Sequence, residues 1–195
     1  MGVRTTIAMT CAAVMMAGCA APRGTPAASE QDAFWASLQR MCGNAYGGQL
    51  VEGSAADTAF RQNALVMHVR QCSEREVKIP FHLGENRSRT WVVTRTDAGL
   101  RLKHDHRHED GSEDAVTQYG GDTRDAGTAA RQEFWADAHT ATLIPAAAPN
   151  VCTLEVMGER FAYALRREGT DRRFRVEFDL TRPIAPPPAP WGHTE

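Results

Sequence analysis

Apolar and polar residues alternate along most of this chain after residue 45, the pattern of β-strands that have one buried face. In the segment 173–180, for example, four apolar residues alternate with four charged ones. Turns that contain Gly or Asp separate the alternating segments. The pattern predicts strands at 45–52, 64–73, 77–83, 89–96, 100–109, 116–119, 131–143, 151–157, 160–167 and 174–180.

One helix is predicted before the first strand. Ser29 followed by Asp32 is typical of a helix N-terminus, and Phe34, Leu38 and Met41 recur at helical spacing. Gly43 is expected to end the helix. From here to the C-terminus the sequence gives no sign of a second long helix.

Eight to ten short strands joined by turns, with no helical crossovers, indicate an all-β fold. Sequential hairpins with one apolar face favour a single antiparallel up-and-down β-barrel, because closure removes exposed strand edges. The short N-terminal helix is expected to plug one end. We assign residues 30–182 to this barrel and 183–195, which are rich in Pro, to an extended tail. The layout resembles calycin-type barrels such as lipocalins, fatty-acid binders and nitrobindins.

The N-terminus has the layout of a secretory signal. Arg4 precedes an apolar run at 7–17, which is too short to span a membrane as a helix. The run ends in Ala17-Gly18-Cys19, which resembles the lipobox of bacterial lipoproteins, although Met16 stands where leucine is usual. That resemblance implies a signal peptide at 1–18 and lipidation of Cys19. A flexible tether at 19–29, rich in Ala and Pro, would follow.

These features predict an exported protein of the bacterial cell envelope. Ala20 after the cysteine favours an outer-membrane lipoprotein that faces the periplasm and is held to the membrane by its lipid anchor. Without residues 1–18 the chain has 177 residues (195 less 18), and the loss of Arg4 takes the net charge from −2 to −3. A basic face is missing, which argues against a nucleic-acid partner. We expect a monomer.

Three cysteines remain in the predicted mature chain. Cys152 alternates with Leu154 and Val156, the pattern of a buried thiol. Disulfides persist in the oxidising compartment that an exported protein enters. The sequence therefore predicts one disulfide, between Cys42 and Cys72, and a free Cys152.

Three stretches, 78–91, 103–121 and 178–192, resemble an uncharacterised family of exported bacterial proteins. The likeness covers most of the predicted mature chain. That family carries no assigned activity, so the resemblance implies export and leaves the function to be inferred from the residues.

The segment 100–109 carries the residues that suggest chemistry. Leu100 and Leu102 begin a face that His104, His106 and His108 continue, while the other face is entirely charged and is expected to meet water. Asp110-Gly111-Ser112 predicts a hairpin turn, after which the chain would return along 113–119. Three histidines would then lie on the inner face of a barrel, where they are half-buried structural residues, ligand contacts or metal ligands.

The favoured interpretation is that the barrel binds a small apolar or amphipathic ligand. Its wall would include Leu102 and Trp91, and the three histidines would form its polar end. Catalysis is disfavoured because no separate general base can be named. Another hypothesis is that the barrel is fully packed and that the protein acts in the cell envelope by binding another protein through its surface.

The second hypothesis is a metal enzyme. His106 and His108 followed by Glu113 and Gly120 resemble the first motif of cupins, which implies a metal bound inside a barrel. Imidazole and carboxylate suit Zn, Mn or Fe. Two departures weaken the likeness, because Gly99 lies seven residues before His106 and the second cupin motif is missing. No cofactor is firmly predicted.

Overall fold

The computed structural model describes residues 1–2 and 29–194. Residues 3–18 of the predicted signal peptide, the lipidation site Cys19 and the tether up to residue 28 lie outside the described residues. The described part has three α-helices, which are α1 (Glu30–Arg40), α2 (Thr58–Gln62) and α3 (Ala138–Leu143). It has eleven strands: β1 (Ala45–Glu52), β2 (Leu65–His68), β3 (Gln71–Cys72), β4 (Glu76–Leu83), β5 (Asn86–Thr96), β6 (Gly99–His106), β7 (Tyr119–Asp122), β8 (Arg131–Ala136), β9 (Asn150–Met157), β10 (Arg160–Arg167) and β11 (Arg173–Ile184).

The strands form a closed antiparallel barrel in which neighbours in sequence are neighbours in space. The β2 and β3 strands pair with different parts of β4, so they share one position in the barrel. The barrel closes through β2 pairing with β4 and β1 pairing with β11. The result is a ten-stranded up-and-down calycin-like barrel, which confirms the all-β fold predicted from the alternation.

The inner faces of the strands form one continuous apolar core. On β5 and β6 the register places Trp91 opposite His104 and Val93 opposite Leu102, all of them buried. Because strand side chains alternate, the residue two positions before Trp91 on β5 and the residue two positions after His104 on β6 also point inward.

Helix α1 covers one end of the barrel. Ser29 caps it in a capping box with Asp32, and Phe34, Trp35 and Leu38 are buried in the core. Asp32 pairs with Arg95 near the β5–β6 turn, so the helix lies at the Thr96–Gly99 end of these strands. Among the described residues, no helix has the length and apolarity needed to cross a membrane.

The predicted disulfide joins Cys42 and Cys72, and it fixes the chain after α1 to β3. Cys152 is free and buried. Both predictions for the described cysteines are confirmed. The bond closes a loop with a sequence separation of 30, so it restricts the unfolded chain as well as the folded one.

The chain between β6 and α3 differs from the sequence prediction. Strand β6 ends at His106, and the returning strand is β7, which pairs through Tyr119 opposite His104. Gly120 and Gly121 let β7 fit between its neighbours, since a Cβ on Gly121 would lie 1.7 Å from the Trp135 carbonyl oxygen. A glycine-rich strand shows no alternation, so the sequence pattern does not predict a strand at residues 120–122.

Residues 138–143, predicted as strand, form α3 instead. Asp137 caps this helix, and the buried Thr140 hydroxyl donates a hydrogen bond to the Gly120 carbonyl oxygen at 2.7 Å. The helix is therefore fixed to β7 by a buried polar contact.

The last residues of the chain pack against the outside of the barrel. Strand β11 continues to Ile184, past the predicted start of the tail, and residues 189–194 then lie across the outer wall. The Arg87 guanidinium donates to the Ala189 carbonyl oxygen at 2.9 Å, and His193 Nε2 lies 3.3 Å from Asp105 Oδ2. Asp105 was expected to face water, but it is only 6 % exposed because this segment covers it.

Candidate functional site

A cavity of ≈ 140 Å³ opens inside the barrel at the end opposite α1. It lies where β5 begins and β6 ends, and Phe60 from α2 lies at its edge. Elsewhere the described core is filled by buried apolar side chains. The cavity is therefore a local feature of one end of a packed barrel.

Aromatic rings form the apolar wall of the cavity. Trp91 is stacked between Phe81 and Tyr163, with ring centroids 4.7 Å away on each side. Phe60 packs edge-on against Phe174 at 4.9 Å. Such contacts hold the rings in fixed orientations, so this wall is formed before anything binds.

His104 is part of a buried hydrogen-bond chain. Its Nδ1 lies 3.2 Å from the Tyr119 carbonyl oxygen, which can only accept, so Nδ1 donates. Burial lowers the pKa of His104 to about 3, so at neutral pH Nε2 has a lone pair that accepts from the Tyr163 hydroxyl at 3.0 Å. Tyr163 in turn lies 3.3 Å from Cys152 Sγ, whose thiol must then donate.

His106 differs from His104 because one of its ring nitrogens is unused. Nε2 is buried and has no hydrogen-bond partner among the described residues. Burial, followed by the positive charge of Arg89, lowers the pKa of His106 to about 4. The neutral ring lies edge-on to Tyr119, 5.4 Å between centroids. A buried polar atom without a partner is costly, so this nitrogen is available for a ligand.

Arg89 lies opposite His106 in the β5–β6 register. Its guanidinium donates to Asn86 Oδ1 at 2.9 Å and lies 5.7 Å from the centroid of the Phe60 ring. Arg89 forms no ion pair with a carboxylate of the described residues, and burial lowers its pKa. The sequence analysis missed Arg89, although its spacing from Trp91 and Val93 on one strand face was the available signal.

A second arginine at the cavity has its charge balanced. Arg172 binds Asp57 through two hydrogen bonds, at 2.5 and 2.9 Å. Burial opposes the ionisation of Asp57, but the bonds from Arg172 and Ser54 hold the pKa of this carboxyl below its usual value. The pair fixes the loop before α2 to the β10–β11 turn.

The structure places three of the predicted ligand-binding residues in the cavity wall. These are His104, His106 and Trp91. Leu102, also predicted to line the site, lies deeper in the packed core and is fully buried. Tyr119 and Tyr163 also line the cavity but were not predicted from the sequence. Tyr119 lies on a glycine-rich strand that shows no alternation, and Tyr163 meets His104 from β10, which is far away in sequence.

His108 and Glu113 lie away from the cavity. The strand ends at His106, so His108 is exposed on the following turn rather than continuing the inner face. Glu113 is exposed and pairs with Arg107 at 3.2 Å. The predicted metal set of His106, His108 and Glu113 is thus not brought together. Across residues 29–194 no group of three or more His, Cys, Asp or Glu residues is arranged to hold a metal.

Comparisons with protein-family models, with curated proteins and with solved structures gave no match for this chain. The class of protein is therefore defined by the structure itself. It is a closed, ten-stranded calycin-like barrel with a small aromatic cavity at one end.

Proposed function

We propose that this barrel binds a small molecule in the cavity between His106 and the aromatic wall. The observation that carries the proposal is an interior space with polar atoms that lack partners, His106 Nε2 and most of the Arg89 guanidinium. Binding sites are typically concave and apolar with a few placed polar groups. The ligand would accordingly be amphipathic, with an apolar body and one polar end.

The size of the cavity limits the ligand. An apolar protein cavity of about 150 Å³ is large enough for a benzene molecule, and this cavity measures ≈ 140 Å³. Pockets for drug-sized ligands are larger, roughly 300–1,000 Å³. A molecule with a body of about one ring fits the space, and a long acyl chain does not.

Binding is favoured over catalysis by the state of the buried titratable groups. Both ring nitrogens of His104 are occupied, by the Tyr119 carbonyl oxygen and the Tyr163 hydroxyl. Burial raises the pKa of the Cys152 thiol to about 11, so it stays protonated and poorly nucleophilic. Neither group is poised to react at neutral pH.

The proposed site can be tested by NMR spectra of isotope-labelled protein titrated with benzoate, phenol and cyclohexanol. Shifts concentrated at Trp91, His106 and Tyr163 are expected for at least one compound. In Leu165→Trp, which places a larger side chain in the cavity wall, these shifts should disappear. Leu180→Trp, also partly buried but outside the cavity, should keep them. The proposal fails if no compound shifts these signals.

We also propose that the protein is an outer-membrane lipoprotein facing the periplasm, anchored by acyl chains on Cys19. The sequence Ala17-Gly18-Cys19 after an apolar run supports this proposal. The Cys42–Cys72 disulfide also supports export, because disulfides are rare in reducing compartments. Cell fractionation of a Cys19→Ala variant is the test. Loss of the protein from the membrane fraction is expected, and its retention there would refute the anchor.

A further inference from the structure

Arg89 and Arg172 both line the cavity, but only Arg172 has a carboxylate partner among the described residues. Arg175 pairs with Glu155 at 2.7 Å and Glu177 at 2.8 Å, and Arg172 pairs with Asp57. Arg89 has one hydrogen bond, to the neutral amide of Asn86. A guanidinium has five N–H groups, so most of its donors lack an acceptor within the described chain.

The uncompensated charge of Arg89 lies beside two other groups that can bind an anion. His106 is its cross-strand neighbour and has a buried, unpartnered Nε2. The Tyr119 ring lies edge-on to His106, and its hydroxyl has no hydrogen-bond partner among the described residues. A carboxylate placed here would accept from Arg89 and from one or both of these groups.

We propose that the ligand is a small organic monocarboxylate with a ring-sized apolar body, and that Arg89 binds its carboxylate inside the barrel. This inference rests on the proposed function and names the ligand class for the same cavity. Arginine presents parallel N–H donors that match a carboxylate. The ring of the ligand would lie against the aromatic wall formed by Phe60, Trp91 and Phe174.

A monoanion fits the charges at this position better than a phosphate does. Arg89 supplies one positive charge, and the charge of Arg172 is balanced by Asp57. His106 is neutral at pH 7, since its pKa lies at about 4. A phosphate dianion would leave one negative charge buried without compensation, which is strongly unfavourable.

The test is calorimetric titration of the purified protein with benzoate and with benzamide, which has nearly the same shape and no charge. Wild-type protein is expected to bind benzoate at least tenfold more tightly than benzamide. Arg89→Gln removes the charge and should abolish that preference, whereas Arg89→Lys keeps the charge and should retain part of it. Arg40→Gln, which makes the same change on the exposed side of α1, should behave as wild type.

The possible results separate the two proposals. Equal binding of benzoate and benzamide, or an unchanged preference in Arg89→Gln, would overturn the carboxylate assignment and leave the small-molecule function standing. Failure of the wild type to bind either compound would overturn both. If Arg89→Gln does not fold, the comparison of wild type with Arg89→Lys decides, because an undiminished preference in a folded lysine variant would contradict a role for the guanidinium.

Discussion

Arg89 is expected to destabilise the unliganded protein because of its surroundings. Burial lowers its pKa and no carboxylate offsets its charge. Residues that serve a binding site commonly reduce stability when the ligand is absent. The isolated protein should therefore be more stable without this charge than with it.

We expect Arg89→Met to raise the free energy of unfolding of the unliganded protein, by about 0.5–2 kcal/mol. Urea unfolding at pH 7 measures the change. The matched control is Arg175→Met, which leaves Glu155 and Glu177 without their partner and should lower stability. If Arg89→Met destabilises the protein as Arg175→Met does, Arg89 is a structural residue rather than a binding residue.

The C-terminal segment 189–194 acts as a strap over the outer faces of β5 and β6. His193 contacts Asp105, and the Trp191 amide donates to the Arg87 carbonyl oxygen at 3.1 Å. Its contact with Asp105 is close to the cavity, because His104 and His106 flank that residue on β6. The strap thus supports the wall that carries both cavity histidines.

A chain that stops after Pro188 should be less stable, by roughly 1–3 kcal/mol, because buried polar groups lose their partners. Amide hydrogen exchange should speed up in β5 and β6, while β9 and β10 on the opposite wall should change less. Hydrogen exchange with mass spectrometry makes the comparison, and Pro186→Ala in the exposed residues before the strap is the control. Unchanged hydrogen exchange in β5 and β6 would show that the strap does not stabilise these strands.

The strands could be predicted from sequence because alternation is a local signal. Helix α1 and the hairpins of the C-terminal half could be predicted from sequence in the same way. The end of β6 could not be predicted, since the alternation continues to His108 while β7 begins its pairing opposite His104. Where a strand stops depends on its partner, and the partner here is a glycine-rich segment without any alternation.

The candidate site was also only partly predictable from sequence, because some of its residues are brought together by strand pairing. His104, His106 and Trp91 follow from the inner-face pattern of two adjacent strands. Tyr163 lies on β10, far along the chain, and the barrel closure brings it to His104. The sequence shows that Arg89 is charged, but only the three-dimensional arrangement of the strands shows that it has no carboxylate partner.

Buried histidines make the whole molecule sensitive to acid. Burial, then the charges of Arg87 and His68, lower the pKa of His82 to about 4, and the pKa values of His104 and His106 are lowered as well. The unfolded chain takes up protons near the ordinary value of 6.5, before the folded chain does. Stability is therefore complete above about pH 7 and is lost as the pH falls from about 6.5 towards 4.

At pH 5, His82 alone should reduce the free energy of unfolding by about 2 kcal/mol relative to pH 7, by the linkage relation. Urea unfolding at the two pH values measures the difference in wild type and in His82→Gln, in which the difference should be smaller by the share that His82 contributes, while the shares of His104 and His106 remain. His108→Gln is the control, because His108 is exposed. Equal stability of the wild type at pH 7 and pH 5 would contradict the buried neutral state of these histidines.

The proposed function depends on the cavity at one end of the barrel, so direct observation of a ligand in that cavity is the decisive measurement. Crystals of the protein soaked with 4-bromobenzoate would locate the ligand by the anomalous signal of bromine. We predict one bromine position inside the cavity, beside Trp91 and Phe174, with the carboxylate hydrogen-bonded to Arg89. Bromine found only on the outer surface, with the cavity unchanged at saturating ligand, would contradict the binding site proposed for this barrel.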